Sequence, residues 1–236
     1  MKFTKSKNKV IILCGGRGKR MGRLTNSIPK PLIKVGKIPI IEHKLRYYKS
    51  QGLNNFVFCL GYKSKQLKSY LQKKNSGGTF SNAGINAGIL KRIFKVKKFV
   101  NDHTIISYGD TLAKINFKHL ITNHQKSRCA MTIVVAPIQN PFGLVKWNST
   151  NKATHFEEKP ILNHYIGYAV ISPYFFDKLN AKTINLKDGK GIIKIIKNLI
   201  LKKQLNIYKF NKLQVTINSP EELKYARLNY NKYFTL

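Results

Sequence analysis

The amino-acid sequence predicts an α/β fold with a doubly wound, mostly parallel sheet. Over the first two thirds of the 236 residues, short apolar runs alternate with amphipathic segments of helical period. The first apolar run stops at a glycine-rich turn, which is typical of a strand that leads into a helix in a parallel sheet. The length suits one α/β unit with a substantial core, so we expect a single domain over residues 1–236.

The predicted elements of the first two thirds follow from local patterns. Continuous apolar runs bounded by turn residues predict strands at 10–14, 55–60, 104–108 and 129–136. Helical spacing of apolar residues predicts helices at 39–51, 63–73 and 117–125, and a short one from Ile89. Pro39 suits the first helical position because its missing N–H costs nothing there, and Gly52 suits a C-terminal cap. The glycine- and asparagine-rich segment 75–88 is predicted to be a loop.

The last third of the chain is richer in short strands, which we predict at 143–147, 153–157, 165–171, 205–210 and 213–217. Helices are predicted at 173–180, 190–203 and 219–232. This part therefore predicts a strand-rich insertion beside the sheet. His119 and His124 are five residues apart, an offset that does not bring two metal ligands to one helix face, so we predict solvent-facing roles for the histidines.

The formal net charge of +35 raises nucleic acid or an anionic membrane as partners. However, the lysines are scattered along the whole chain, whereas nucleic-acid readers usually cluster arginine and interleave exposed aromatic residues. We therefore expect nonspecific polyanion binding at low salt and no specific nucleic-acid partner. Because the chain has only nine acidic residues, any magnesium ligands must come from a short list.

The location of the protein is predicted from its apolar runs and its cysteines. No apolar stretch approaches the ~20 residues that span a bilayer, and the basic residues 1–9 precede only five apolar ones, too few for a secretion signal. Cys14, Cys59 and Cys129 are far apart and odd in number, which predicts core thiols in a reducing compartment. We expect a cytoplasmic protein that is not inserted in a membrane.

The stretch after the first predicted strand is a candidate polyphosphate site. Gly15, Gly16 and Gly18 allow backbone N–H groups to converge on an anion, and Lys19 and Arg20 are among four cations of the same loop. The spacing does not match a P-loop, because the lysine is followed by arginine and not by Ser or Thr. It does not match the Rossmann dinucleotide fingerprint either, because the third glycine is missing. The pattern predicts a cradle for a nucleoside triphosphate, with a ligand-free basic turn as the alternative.

The same stretch resembles the signature of the sugar-1-phosphate nucleotidyltransferases, G-G-x-G-x-R-[LM] followed by P-K-P. In this sequence the signature reads Gly15, Gly16, Gly18, Arg20 and Met21, and then Pro29, Lys30 and Pro31. The resemblance implies a Rossmann-like nucleotide-diphospho-sugar transferase fold. Its nucleotide-binding half would span about 8–136 and its acceptor-binding half about 137–236. The glucose-1-phosphate cytidylyltransferase branch is the most similar, which favours CTP.

The resemblance also implies roles for residues of the nucleotide half. Arg20 would stabilise the leaving phosphates and Lys30 would bridge the nucleotide and acceptor phosphates. Asp110 follows a strand end and a glycine, where a carboxylate can hold Mg²⁺, and the family places a metal ligand at this step; a strand-terminating or helix-capping Asp is the alternative. Gly15, Gly16, Gly18, Lys19 and Gly88 would contact the nucleotide, and the loop 82–88 would read the base.

The acceptor side is implied by a second set of residues. Gly143 and the Glu158-Lys159 pair are similar to the family's glycine-bearing strand and E-K-P motif, whose acid binds sugar hydroxyls and whose lysine meets the sugar phosphate. A solvated turn is the alternative for that pair. Tyr165 and Gly167 stand at the family's N-x-G sugar motif, with a phenol in place of the amide. Thr216 stands where the family usually has a second metal-binding Asp.

Three functional hypotheses remain at this point. The first is a Mg²⁺-dependent nucleotidyltransferase that joins an NTP to a sugar 1-phosphate, in the setting of nucleotide-sugar and polysaccharide biosynthesis, with a homo-oligomer as a possible assembly. The second is a degenerate relative that binds nucleotides with little turnover. The third is a polyanion- or RNA-binding protein on the same scaffold.

Overall fold

The structure is a computed structural model that describes residues 8–230. In this range the strands are β1 (Lys9–Leu13), β2 (Lys34–Val35), β3 (Ile38–Pro39), β4 (Phe56–Leu60), β5 (Thr79–Asn82), β6 (Thr104–Tyr108), β7 (Thr111–Ala113), β8 (Met131–Gln139), β9 (Leu144–Trp147), β10 (Ala153–Glu157), β11 (Ile161–Ile171), β12 (Leu205–Lys209) and β13 (Gln214–Thr216). The helices are α1 (Leu24–Ser27), α2 (Ile40–Ser50), α3 (Ser64–Lys73), α4 (Ile89–Lys95), α5 (Phe117–Ser127), α6 (Ala181–Ile184), α7 (Lys190–Leu201) and α8 (Pro220–Leu228). Short 3-10 helices lie at Lys19–Met21, Lys30–Leu32, Lys97–Phe99 and Pro173–Lys178.

Seven of these strands form one central sheet in the order β12-β8-β11-β6-β1-β4-β5. Strand β1 pairs in parallel with β4 and β6, β4 with β5, and β8 with β12. Strand β11 is antiparallel to both of its neighbours, β6 and β8. The predicted α/β class with a mostly parallel sheet is therefore confirmed.

Helices cover both faces of the sheet because successive side chains of a strand point to opposite sides. Val10 and Ile12 of β1 belong to one buried cluster with apolar residues of α2, α3 and α5. Ile11, between them, belongs to the opposite cluster with residues of α4 and α7. The continuous apolar run of β1 is thus the pattern of a strand that is buried on both faces.

Most predicted elements are confirmed within a few residues, and the differences concern one predicted loop, the type of one helix and the burial of the histidines. The segment predicted as a loop contains β5, an edge strand whose single apolar side chain, Phe80, stacks on Phe58 at 5.5 Å between centroids. The predicted helix 173–180 is a 3-10 helix over Pro173–Lys178. The histidine prediction is wrong for His124, which is buried between the hydroxyls of Thr132 and Ser172, at 2.8 and 2.9 Å. It is also wrong for His43, which is buried with its Nε2 2.8 Å from the Val35 carbonyl. In the last predicted helix, residues 231 and 232 lie outside the described range, as do residues 1–7 of the predicted N-terminal segment.

The three cysteines are free thiols that differ in burial. Cys14 and Cys59 are buried free thiols, as predicted, while Cys129 is only partly buried. Among residues 8–230, no helix is long and apolar enough to cross a membrane.

The strand-rich part forms an arm next to the main sheet. Strands β9 and β10 pair only with each other in an antiparallel hairpin, with a bulge between Ala153 and His155. Nearly every residue of the hairpin is exposed, including Trp147 and Phe156 at 66% and 65%. This arm carries the predicted acceptor motifs at its base.

Candidate active site

The glycine-rich loop lies at the carboxyl end of β1, the end where open parallel sheets bind ligands. The backbone N–H of Cys14 still continues the sheet by donating to Cys59, and the N–H of Tyr62 donates to the carbonyl of Gly15 at 3.0 Å. Gly18 adopts a left-handed conformation at φ 66° and begins the 3-10 helix that carries Lys19 and Arg20. The loop is anchored at its far end by Met21, whose side chain is buried in a third apolar cluster.

A cleft of about 870 Å³ opens above this loop. Its lining brings together distant parts of the chain, namely Leu13–Arg20, Lys30, Pro31, Ile85–Ala87, Ile89, Arg92, Tyr108–Asp110, Lys187–Gly189 and Asn218. The predicted nucleotide-side residues Gly15, Gly16, Gly18, Lys19, Arg20, Lys30 and Asp110 are therefore all at one site. Gly88 lies beside it at the start of α4, where a Cβ would approach the carbonyl oxygen of Leu186 to 2.2 Å.

A lysine–carboxylate contact spans the floor of this cleft. The Nζ of Lys30 donates to Oδ2 of Asp110 at 2.6 Å and to Oδ1 of Asn218 at 2.9 Å. Lys30 is 9% exposed, so its ammonium is held in one place by these two oxygens. Asp110 is aligned with the glycine loop because the N–H of Gly109 donates to the carbonyl of Leu13.

Thr216, which stands where the family usually has a second metal-binding Asp, lies in the small sheet of β7 and β13. Thr216 pairs with Thr111, and their hydroxyl oxygens are 3.2 Å apart. Its side chain therefore faces a neighbouring hydroxyl, whereas Asn218, two residues further on, reaches the cleft floor and contacts Lys30. An amide oxygen is thus present close to where the family pattern has a carboxylate.

The oxygen ligands of the cleft fit a magnesium ion only together with a substrate. Among residues 8–230, no group of three or more His, Cys, Asp or Glu side chains could hold a metal ion. Mg²⁺ in phosphoryl-transfer sites is usually bound by one or two carboxylates plus substrate phosphates and water. Asp110 supplies one carboxylate and Asn218 one amide oxygen, so the residues present fit that mode of binding.

The predicted acceptor residues do not line the same cleft. Gly143 and Glu158 are neighbours at the base of the hairpin arm: a Cβ on Gly143 would lie 2.8 Å from the ring of Phe156 and 3.3 Å from Oε2 of Glu158. The Glu158 carboxylate is 3.6 Å from the Nζ of Lys159, and both side chains are more than half exposed.

Tyr165 and Gly167 do not line the cleft but contact Tyr108, which does. The ring of Tyr165 packs edge-on against Tyr108 at 5.8 Å between centroids, and its hydroxyl is buried. Gly167 has φ 78°, and a Cβ there would lie 2.9 Å from the Tyr108 ring. Burial raises the pKa of Tyr108 to about 12, so this phenol stays protonated at neutral pH. The glycine is therefore required by backbone conformation and by ring packing.

A buried lysine lies directly behind the site. Lys44 of α2 is 1% exposed, and its Nζ donates to the Thr111 carbonyl at 2.5 Å and to the Tyr168 hydroxyl at 2.8 Å. The amine also lies over the Tyr168 ring, 4.6 Å from its centroid. Desolvation lowers its pKa to about 7, against the opposing effect of the Asp110 charge.

Three sets of cleft residues are missed by the sequence reasoning. Arg92 lies four residues after the predicted nucleotide contact Gly88, and Asn218 lies two residues after Thr216, but the motifs assign neither of them a role. Lys187–Gly189 reach the cleft because the Asp188 carbonyl accepts from the N–H of Ile89 at 2.8 Å. No local pattern in the sequence signals that long-range contact.

The chain is similar to known nucleotidyl transferases. The nucleotidyl transferase family model matches residues 9–214. A probable glucose-1-phosphate cytidylyltransferase of Bacillus subtilis is 32% identical over an alignment of 252 positions, covering 95% of this chain and 96% of that protein. A mannose-1-phosphate guanyltransferase of Yarrowia lipolytica is 28% identical over 190 residues, covering 76% of this chain and 51% of that protein.

Solved structures share the fold. A putative glucose-1-phosphate thymidylyltransferase from Bacillus anthracis, in complex with a sucrose, superposes with a TM-score of 0.72 at 20% identity, covering 93% of this chain and 94% of that one. A UDP-glucose pyrophosphorylase complexed with UDP-glucose gives a TM-score of 0.71 at 16% identity, covering 95% of this chain and 98% of that one. The nucleotide-diphospho-sugar transferase fold predicted from the glycine-rich signature is confirmed.

Proposed function

The chain belongs to the nucleotidyl transferase family, and from that premise we propose that it joins a nucleoside triphosphate to a sugar 1-phosphate. The products are a nucleotide sugar and pyrophosphate. CTP is the favoured nucleotide, on the strength of the similar cytidylyltransferase from Bacillus subtilis and of the motif resemblance. We place the reaction in the cytoplasm, where it supplies activated sugar for polysaccharide synthesis.

The reaction requires charge neutralisation and positioning rather than a general base. A phosphate oxygen of the sugar 1-phosphate attacks the α-phosphorus of the triphosphate. The new phosphorus–oxygen bond forms as the bond to the β-phosphate oxygen breaks, and pyrophosphate carries away the electron pair. The attacking phosphate is already ionised at neutral pH, so no residue has to remove a proton.

The observation that carries this proposal is the Lys30–Asp110 contact of 2.6 Å inside the glycine-loop cleft. The buried ammonium of Lys30 and the carboxylate that follows β6 provide the two charges that phosphoryl transfer needs, one for phosphate oxygens and one for a metal ion. Lys30 would bridge the α-phosphate and the acceptor phosphate. Arg20, on the loop, would stabilise the charge that develops on the leaving pyrophosphate.

Asp110, with Asn218 beside it, would hold Mg²⁺ against the phosphates. When bound, the ion neutralises phosphate charge and fixes the geometry of the triphosphate. Backbone N–H groups at Gly15, Gly16 and Gly18 would bind phosphate oxygens, with Lys19 as a further cation.

The acceptor would enter from the side of the hairpin arm. Glu158 would accept hydrogen bonds from sugar hydroxyls and Lys159 would meet the sugar phosphate. Gly143 leaves room for the glutamate, and Tyr165 and Gly167 would form the wall of the sugar pocket. This assignment is supported by the exposure of the Glu158 and Lys159 side chains, which leaves them available for a ligand.

Pyrophosphate release tests the proposal directly. The four common NTPs are screened against several sugar 1-phosphates with and without Mg²⁺; we expect Mg²⁺-dependent release, greatest with CTP. Lys30→Ala and Arg20→Ala should each reduce turnover by roughly 100-fold or more, the order of effect seen when a transition-state charge contact is removed. The exposed Lys37, on the β2–β3 turn, provides a matched control, since Lys37→Ala removes one positive charge outside the cleft. Turnover by Lys30→Ala close to that of Lys37→Ala would contradict the assignment.

Two alternatives are tied to specific observations. Thr216, in place of an acid and facing Thr111, favours a nucleotide-binding relative with little turnover; NTP binding without pyrophosphate release from any acceptor would support it. The net charge of +35 favours polyanion binding. Salt-sensitive RNA binding that nucleotides do not compete with would support that function.

A further inference from the structure

A buried arginine lies under the glycine loop and has no role in the proposed chemistry. Arg92 of α4 is 4% exposed, yet it contributes to the lining of the nucleotide cleft. Its Nη1 donates to the carbonyl of Leu60, the last residue of β4, at 2.5 Å. Its Nη2 donates to the carbonyl of Ile85 at 3.4 Å. One side chain thus links a central strand to the segment Ile85–Ala87.

Two glycines, Gly15 and Gly61, lie against this guanidinium. A Cβ on Gly15 would lie 2.1 Å from Nη1 of Arg92, and a Cβ on Gly61 would lie 2.4 Å from the same atom. The two glycines are themselves in contact, because a Cβ on Gly61 would also lie 2.6 Å from the Gly15 carbonyl oxygen. Glycine is needed at both positions because a side chain would meet a backbone carbonyl as well as the arginine, namely that of Leu60 at 2.8 Å for Gly15 and that of Gly15 for Gly61.

The hydrogen-bond partners of Arg92 carry no charge. None of the ion pairs among residues 8–230 includes it, and the partners named above are neutral carbonyls. Burying a cation away from water costs free energy, which neutral carbonyls only partly recover. This cation, which has no ion-pair partner among the described residues, lies against Gly15 of the loop where a polyphosphate would bind, so an anionic ligand would supply a counter-charge.

We propose that Arg92 is a positioning and specificity-determining residue for the nucleotide: it fixes the cleft-lining segment Ile85–Ala87 relative to the glycine loop and adds positive potential under the triphosphate. The inference rests on the proposed function in that it takes the ligand to be a nucleoside triphosphate. The two contributions are separable, since the positive potential needs only a charge, whereas fixing the segment needs a planar fork that reaches two carbonyls at once.

The experiment measures dissociation constants of CTP, UTP, GTP and ATP in the presence of Mg²⁺ by calorimetry, for the full chain and three variants. Arg92→Met removes charge and fork, and Arg92→Lys keeps only the charge. Lys91→Met removes one charge from the neighbouring position of the same helix, where the exposed ammonium contacts Asn185 and not the cleft.

We expect Arg92→Met to weaken binding of every NTP by about tenfold or more, as for loss of a charge-assisted contact, and to narrow the ratio between the tightest and weakest nucleotide. Arg92→Lys should recover most of the affinity that all four NTPs lose in Arg92→Met, while the ratio of dissociation constants between the weakest and the tightest nucleotide stays small. Lys91→Met should bind all four NTPs as the wild-type protein does. If Arg92→Met does not fold, as judged by circular dichroism, the ratio measured for Arg92→Lys decides.

The inference would be overturned if Arg92→Lys discriminated among the four NTPs as strongly as the wild-type protein does. It would also be overturned if Arg92→Met bound them with the affinities of the wild-type protein. A wild-type protein that binds all four nucleotides equally would overturn it too. Selective binding by the wild-type protein without pyrophosphate release from any sugar 1-phosphate would overturn the proposed function alone, because base selection is measured without turnover.

Discussion

Replacing Lys44 by methionine should change how the stability of the protein depends on pH. The buried ammonium has only neutral partners, the Thr111 carbonyl and the Tyr168 hydroxyl, and its pKa is lowered to about 7 from an ordinary value of 10.5. Between these two values the unfolded chain binds a proton that the folded chain does not. The free energy of unfolding contributed by Lys44 therefore rises with pH across this range.

The magnitude follows from the size of the pKa shift. A difference of about 3.5 units corresponds to about 5 kcal/mol between the acidic and alkaline limits, at 1.36 kcal/mol per unit. Between pH 7 and pH 9 the linkage relation gives a rise of about 2 kcal/mol. Methionine has a similar shape and no charge, so this rise should be absent from Lys44→Met. The Thr111 carbonyl keeps a partner there, because the Tyr168 hydroxyl also donates to it at 2.7 Å.

Urea unfolding of both proteins at several values between pH 6 and pH 9 measures the effect. The stability of the wild-type protein minus that of Lys44→Met should increase by about 2 kcal/mol from pH 7 to pH 9. The matched control is Lys49→Met, an exposed lysine of the same helix, for which the difference should stay constant. If the difference in the free energy of unfolding between the wild-type protein and Lys44→Met also stays constant with pH, the reasoning is refuted. That result would mean that Lys44 has the same pKa in the folded and unfolded chains.

Three further predictions test other parts of the structure. Gly15→Ala should lower the free energy of unfolding by about 1–3 kcal/mol, because its Cβ would lie 2.1 Å from the guanidinium below it. Gly16→Ala, with no atom within 4 Å of its Cβ, is the thermal-melting control, and equal melting temperatures would contradict this reading. The pKa of buried His124 is lowered to about 4, so folding stability should be lost as pH falls from 6.5 towards 4, by about 3 kcal/mol. Acid titration of His124→Gln should show a shallower loss, and an unchanged slope would be inconsistent with a neutral buried histidine. Asp110→Asn should raise the Mg²⁺ concentration for half-maximal pyrophosphate release by about tenfold or more, and EDTA should abolish release by the wild-type protein. An unchanged magnesium requirement would place the ion elsewhere.

The sequence predicted those parts of the fold in which local pattern and tertiary role agree. Strand β6 was predicted at its observed bounds because it is buried on both faces and ends at a glycine. Strand β5 was missed because an edge strand with one packed aromatic side chain has no apolar run to detect. His124 was misjudged because its burial depends on Thr132 and Ser172, which come from other strands and loops.

The candidate site likewise contains residues that local motifs predict and residues that only long-range contacts bring to the cleft. The glycine loop and Lys30 were predicted from one continuous signature, and Asp110 from its place after the end of a predicted strand. The structure brings all three to one cleft. Arg92 and Asn218 act through contacts with residues 32 and 188 positions away in the chain, which no local pattern can register. Tyr165 was assigned from a motif, whereas in the structure it packs against Tyr108 with its hydroxyl buried.

The antiparallel strand β11 has a consequence for the synthesis of the protein. Both of its neighbours, β6 and β8, leave the ribosome before it does, yet they meet only through β11. From the completion of Tyr108 to that of Ile171, the newly made β6 has an open hydrogen-bonding edge. At about 5–20 residues per second this interval lasts roughly 3 to 13 s. During that time an apolar strand edge is free to pair with another chain, so the yield of native protein should depend on how well the cell keeps nascent chains apart.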